Sequence, residues 1–165
     1  MKFIEINMEL IEIAKNGTSA KPACDDTDNT CLINTLVSSF AELYASVGYM
    51  PPWIGYLTFE ENQCVGICAF KSPPQNNRVE IAYSTFPGYE GHGVATRMAQ
   101  ALVQIAFEAG PELTIAAQTL PEESASTNVL KKLGFQYTAE LEHPEDGKVW
   151  EWRLKNSRKN CFIPK

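Results

Sequence analysis

Hydrophobic spacing along the chain changes period several times, and each change predicts an element. Lys2 to Ile6 alternate as a short strand does, and Asn7 is placed to cap a helix over Met8–Lys15 that ends before Gly17. Residues 17–30 are polar and rich in turn formers, which predicts a mobile loop. Leu32, Leu36, Phe40, Leu43 and Val47 recur at three- and four-residue steps, so a second helix runs to Gly48, and Met50-Pro-Pro prevents it from continuing. Two strand-like runs, Trp53–Phe59 and Cys64–Phe70, predict a hairpin through the polar Glu60–Gln63. A loop over 72–77 leads to a strand, Arg78–Thr85.

The next unit is a helix over Val94–Ala109, with Ala95, Met98, Leu102, Ile105 and Ala106 facing inward and Gly110-Pro111 closing it. Leu113–Thr119 then reads as a buried strand, which completes a βαβ crossover and makes its two strands parallel. A short helix over Ala125–Leu133 stops at Gly134. Phe135–Leu141 and Lys148–Leu154 pair through a turn at Asp146-Gly147. The expected fold is mixed α/β, a sheet of about seven strands with helices on both faces.

With 165 residues and 44% apolar content, the chain is predicted to form a single domain over 1–165, with 155–165 as a loose tail. The formal charge of −6 argues against a broad basic face for nucleic acid and favours a cationic partner. No run of eighteen apolar residues could cross a membrane. Glu5, Glu9 and Glu12 interrupt the apolar start and spoil a signal peptide, which predicts a cytoplasmic protein. There its five cysteines would stay reduced as free thiols. With His92 and His143 as the only histidines, no metal site is expected. Nothing in the pattern separates a monomer from a homodimer.

The chemistry concentrates at Tyr89-Glu-Gly-His-Gly-Val-Ala-Thr96, between a strand and a helix. Glycines there let backbone N–H groups converge at a helix N-terminus, an anion site for phosphate; the alternative is a tight turn that merely needs positive φ. The turn is not a P-loop, since no Gly-Lys-Ser/Thr follows, and the spacing of Gly91, Gly93 and Ala95 is not that of a Rossmann fingerprint.

Gly91-His-Gly-Val-Ala-Thr96, followed about thirty residues later by Ala125-Ser-Thr-Asn-Val-Leu-Lys-Lys-Leu-Gly-Phe135, resembles the GNAT superfamily of N-acetyltransferases over residues 54–154. Glu80-Ile-Ala-Tyr83 and Ser126 are similar to its ribosomal-protein N-terminal acetyltransferase branch. The resemblance implies acetyl-CoA as co-substrate, with pyrophosphate on the backbone of Gly91, His92, Gly93, Val94, Ala95 and Thr96. It implies a pantetheine arm between splayed parallel strands, along Ala82, Tyr83 and Ser84, with Gln118 bordering the acyl group. Arg97, Lys131 and Lys132 are candidates for the 3′-phosphate, and the His92 ring is expected to face solvent.

The family usually has Arg or Gln where this chain has Glu90, and often Asn and Tyr where it has Glu123 and Leu130. That departure excludes a tyrosine acid at position 130. It also leaves open a second class of function, a domain that binds acyl-CoA without turnover. Two catalytic candidates remain. Glu80, on the strand face it shares with Ala82 and Ser84, either pairs with a basic residue or accepts the proton of a substrate ammonium. Ser126, expected on the inward face of its helix with Val129, Leu130 and Leu133, either bonds a nearby backbone group or gives a proton to the departing CoA thiolate. The acceptor implied is a small-molecule or peptide primary amine.

Overall fold

The computed structural model describes residues 1–17 and 29–156, so the central parts of the predicted 17–30 loop and 155–165 tail, with Cys24 and Cys161, lie outside the described residues. The elements are β1 (Lys2–Glu5), α1 (Met8–Lys15), α2 (Thr30–Val47), β2 (Gly55–Glu60), β3 (Gln63–Phe70), β4 (Arg78–Thr85), α3 (Val94–Ala109), β5 (Thr114–Thr119), α4 (Ala125–Lys132), β6 (Gln136–His143) and β7 (Gly147–Lys155). Seven strands form one sheet in the order β1-β2-β3-β4-β5-β7-β6. All neighbours are antiparallel except β4 and β5, the two strands joined by the α3 crossover. Lys155 ends β7 instead of opening a tail.

Local chemistry accounts for the element ends. The Asn7 side chain accepts from the Leu10 N–H, satisfying a donor that the first turn of α1 leaves orphaned. Ser124 and Thr127 form a reciprocal capping box on α4. Trp53 lies in the turn before β2 rather than in the strand, because Pro51-Pro52 shapes that turn; its ring meets Phe70 edge-on at 5.1 Å.

Helices cover opposite faces of the sheet. Gly55, registered with Ala69, has no side chain because Phe40 of α2 lies against it, whereas a Cβ on Gly66 would meet Met98 of α3 at 3.0 Å. Positions 66 and 69 are three apart on β3 and so point to opposite sides. The buried face of α3 is Val94, Met98, Ala99, Leu102 and Ala106. Ala95 and Ile105, predicted inward, are half-buried because the apolar stripe is centred one residue away. Met98 and Leu102 are fully buried, each stabilising the fold by about 1.5–3 kcal/mol. Among the described residues, no helix is long and apolar enough to cross a membrane.

Cys64 and Cys68 are buried and Cys31 is exposed, none of them in a disulfide. Burial pushes the Cys68 thiol up to about 12, against a smaller lowering by its contact with Thr58 Oγ1. Since the folded value lies above the ordinary 9.0, this group's contribution to stability is intact below pH 9.0 and is lost as pH climbs toward about 12. Alkylation of the folded protein at about pH 8, read by peptide mass, should therefore label Cys31 and spare Cys64 and Cys68. Equal labelling of all three would contradict the burial.

Candidate active site

The parallel ladder between β4 and β5 runs from Arg78–Thr114 to Ile81–Ala117 and then stops. Beyond it, Ala82–Thr85 remain paired to β3, while Gln118 and Thr119 remain paired to β7. The two strands are each held on their outer side and part from one another, so their facing N–H and C=O groups are free to bond a ligand inserted between them. The Tyr83 hydroxyl crosses this opening and donates to the carbonyl of Ser126 at 3.5 Å, tying β4 to the start of α4. Burial raises the Tyr83 phenol well above its ordinary value, so it stays a donor.

The chain leaving β4 enters the glycine turn. Gly88, Gly91 and Gly93 all have positive φ, at 88°, 78° and 74°, and Gly93 is the left-handed N-cap of α3. No side chain caps α3 there, and no atom lies within 4 Å of where a Cβ on Gly91 would stand. The turn therefore presents orphan N–H groups of the first turn to open space. Glu90 folds back and accepts from the Gly88 N–H at 2.8 Å. His92 is exposed, and its carbonyl accepts from Arg97 Nη1 at 3.0 Å, while Arg97 Nη2 meets Glu60 Oε1 at 2.5 Å. Thus Arg97 pins the turn to the end of β2. Val94 is buried, with Ala95 and Thr96 half-buried behind the turn.

A cleft of about 480 Å³ opens at the ends of β5 and α4, lined by Lys71, Gln118, Ser124, Ser126 and Asp146 among others. A larger cavity, about 590 Å³, lies between α3 and the end of β7 and shares none of these residues. Behind Lys71 sits Glu80, its side chain 12% exposed. Glu80 Oε2 accepts from Arg78 Nη2 at 2.9 Å, whereas buried Oε1 lies 2.9 Å from Lys71 Nζ, an ion-pair distance without hydrogen-bond alignment. The basic pairing open to Glu80 in the sequence is thus formed, on the strand face predicted for it.

Ser126 is exposed and lines the cleft rather than packing inward. The inward hydroxyl is that of Thr127, fully buried and bonded to the Ser124 carbonyl at 2.9 Å. The reason is the helix start: with Ser124 as cap, positions 127 and 130 face the core, and Leu130 is fully buried there. Lys131 binds both oxygens of Glu123 at 2.7 Å and stands 5.8 Å over the Trp152 ring.

Sequence reasoning missed Glu151, 3% exposed on β7, which accepts from Arg78 Nη2 at 2.8 Å and from Arg153 Nε at 2.5 Å. Arg78 thereby bridges two carboxylates across β5, passing the small Ala116. Burial lowers the Arg78 pKa, but the two carboxylates outweigh it and the net shift is upward. A signal existed: Glu151 falls on the Val149 side of an alternating strand, where a charge needs a partner. Lys71 gave none. Glu151→Ala would leave two arginines facing each other, which are partly solvated, and should cost about 2 kcal/mol. Melting should fall by roughly 4–8 °C for a domain of this size; a shift below one degree would remove the network from the stability of the sheet.

Residues 21–136 match the acetyltransferase (GNAT) domain family. No curated protein matches the sequence. Among solved structures, the chain is similar to RimL, a ribosomal-protein α-N-acetyltransferase in complex with coenzyme A, with 18% identity over 90% of this chain and 86% of that one and a TM-score of 0.61. It is similar to a spermidine N-acetyltransferase SpeG chimera from Vibrio cholerae and hSSAT, with 12% identity, 96% and 98% covered, and a TM-score of 0.67. The yncA acetyltransferase of Salmonella typhimurium with acetyl-CoA gives 16% identity, 100% and 98% covered, and a TM-score of 0.58. At these identities the structures share the fold, while the family match spans well over half of the chain: this protein belongs to the GNAT acetyltransferases, enzymes that use acetyl-CoA as acetyl donor.

Proposed function

We propose that the chain transfers the acetyl group of acetyl-CoA to a primary amine by direct attack, with no acetylated side chain on the way. The observation that carries this reading is the convergence of Ser126, Gln118 and Lys71 on one cleft at the parted ends of β4 and β5, with Glu80 paired to Lys71 behind it. The residues present fit the donor. The uncapped turn from Gly91 to Thr96 offers backbone N–H groups to a pyrophosphate, and its open space leaves room for close approach. Ala82, Tyr83 and Ser84 on one edge and Gln118 on the other would bond the pantetheine amides. Arg97 and Lys131, now paired with Glu60 and Glu123, would exchange those exposed partners for the 3′-phosphate.

Bound there, acetyl-CoA supplies an acetyl group already activated as a thioester. The chain does the rest. Glu80 takes a proton from the substrate ammonium, directly or through one water, because only a neutral amine is nucleophilic. As the N–C bond forms and the C–S bond breaks, the attacking nitrogen releases its second proton to solvent, while the Ser126 hydroxyl gives its proton to the departing thiolate and recovers one from solvent. Cys64 and Cys68 take no part, being buried in the core. The names of two similar proteins, a ribosomal-protein α-N-acetyltransferase and a spermidine N-acetyltransferase, support an amine acceptor.

The test is release of CoA thiol from acetyl-CoA by the purified protein, offered a panel of primary amines, N-terminal peptides and alcohols. Release with amines and none with alcohols is expected. Release with alcohols alone would overturn the amine assignment.

A further inference from the structure

Among the described residues, Lys71 is the lysine that lines the cleft shared by Gln118 and Ser126. Its backbone is fixed, since the Lys71 N–H donates to the Glu80 carbonyl at 2.9 Å, next to the Phe70–Ile81 pair of the β3–β4 register. Pro73 and Pro74 follow, and their locked φ angles narrow the paths by which the chain can leave the sheet. The side chain is thereby delivered beside the point where β4 and β5 part.

Its head group is held loosely. Nζ lies 2.9 Å from Glu80 Oε1, yet that oxygen has no aligned hydrogen bond, and the Lys71 side chain is 46% exposed. A half-exposed ion pair is weak, because water solvates the separated ammonium nearly as well. Exposure does not set Lys71 apart, since the Lys131 side chain is 47% exposed and that of Lys148 62%. Position does: it is a primary amine in the cleft, beside a carboxylate able to take its proton. An amine tethered there also reacts without the entropic cost of binding a separate acceptor.

We propose, resting on the transfer reading above, that Lys71 is a site of self-acetylation, the chain serving as its own acceptor when no other amine fills the cleft. Nζ gives one proton to Glu80 or to solvent, and its lone pair attacks the carbonyl carbon of the acetyl thioester. The N–C bond forms, the C–S bond breaks and the nitrogen sheds a second proton to solvent. The departing thiolate takes a proton from Ser126, which solvent restores, so the products are N-acetylated Lys71 and CoA thiol. The modified side chain is uncharged, and Glu80 then keeps Arg78 as its cationic partner.

The experiment incubates the purified full chain with acetyl-CoA and no added amine, then measures acetylation of each lysine by peptide mass. Lys71 should carry at least about tenfold more label than Lys148, and a chain denatured before incubation should lose that preference. Lys71→Arg should lose this label and leave that of Lys148 unchanged. The fraction labelled should not vary with protein concentration, because each chain modifies itself. A second readout involves no turnover: bound CoA should shield Lys71 severalfold from trace acetic anhydride while Lys148 reacts as before.

Label that follows exposure, an equal preference in the denatured chain, or no shielding by CoA overturns the proposal. Labelling that grows with protein concentration makes Lys71 an acceptor for a second copy and overturns transfer within one chain. Running the amine panel in parallel separates the two readings. Acetylated amines with Lys71 unlabelled overturn self-acetylation and leave the transfer reading standing. Acetylated Lys71 with no amine modified supports self-acetylation and overturns transfer to a separate acceptor.

Discussion

Gly93→Val is expected to weaken acetyl-CoA binding by well over tenfold, or more than about 1.4 kcal/mol. Gly93 has φ 74° as the left-handed N-cap of α3, a conformation that costs a β-branched residue about 1–2 kcal/mol. Its added Cβ would also stand 3.2 Å from Arg97 Nη1, the group that holds the His92 carbonyl and ties the turn to Glu60. The substitution therefore acts twice, placing carbon where the pyrophosphate approaches and loosening the turn whose N–H groups must converge. Calorimetry with CoA measures the loss, and circular dichroism with a thermal melt shows that the protein remains folded. Unchanged affinity in a folded Gly93→Val protein would remove this turn from the CoA site.

Glu80→Gln is expected to lower kcat by at least about a hundredfold, in the range of a lost general base, and to leave a rate that rises with pH as the acceptor amine itself loses its proton. An amide cannot take the ammonium proton, so the variant depends on the fraction of amine already neutral in solution. CoA affinity should hardly change, because the glycine turn is elsewhere. Glutamine keeps the shape of the side chain, and Arg78 retains Glu151, so the sheet survives. A purely structural role for the Lys71–Glu80–Arg78 pairing would lower the melting temperature and leave the pH profile intact. An unchanged kcat and pH profile in Glu80→Gln would locate the base on another group.

The two variants probe parts of the site that differed in legibility. The glycine turn could be read directly, since it is contiguous and lies between two elements whose periods are plain. The same holds for the βαβ unit, which places β4 beside β5, and for Glu80 on its strand face. The α4 register could not be read: apolar Val129, Leu130 and Leu133 suit several rotations of one short helix, and Ser126 was expected inward. The Ser124 cap turns Thr127 into the core and leaves Ser126 at the cleft. In α3 the same ambiguity exchanged Ala95 and Ile105 for Val94 and Ala99.

By itself the sequence determined the order of elements, the parallel β4–β5 pair, the glycine turn before α3 and the family, because each is written in spacing within about thirty residues. The tertiary structure alone decided what meets across the sheet. Arg78 and Glu151 are 73 positions apart, and their pairing depends on β7 lying beside β5 with Ala116 small enough to pass over. The Lys71 contact with Glu80 and the end of the β4–β5 ladder have the same origin. Such contacts carry no local signature: hydrophobic period says which face a residue takes, and only packing says what it finds there.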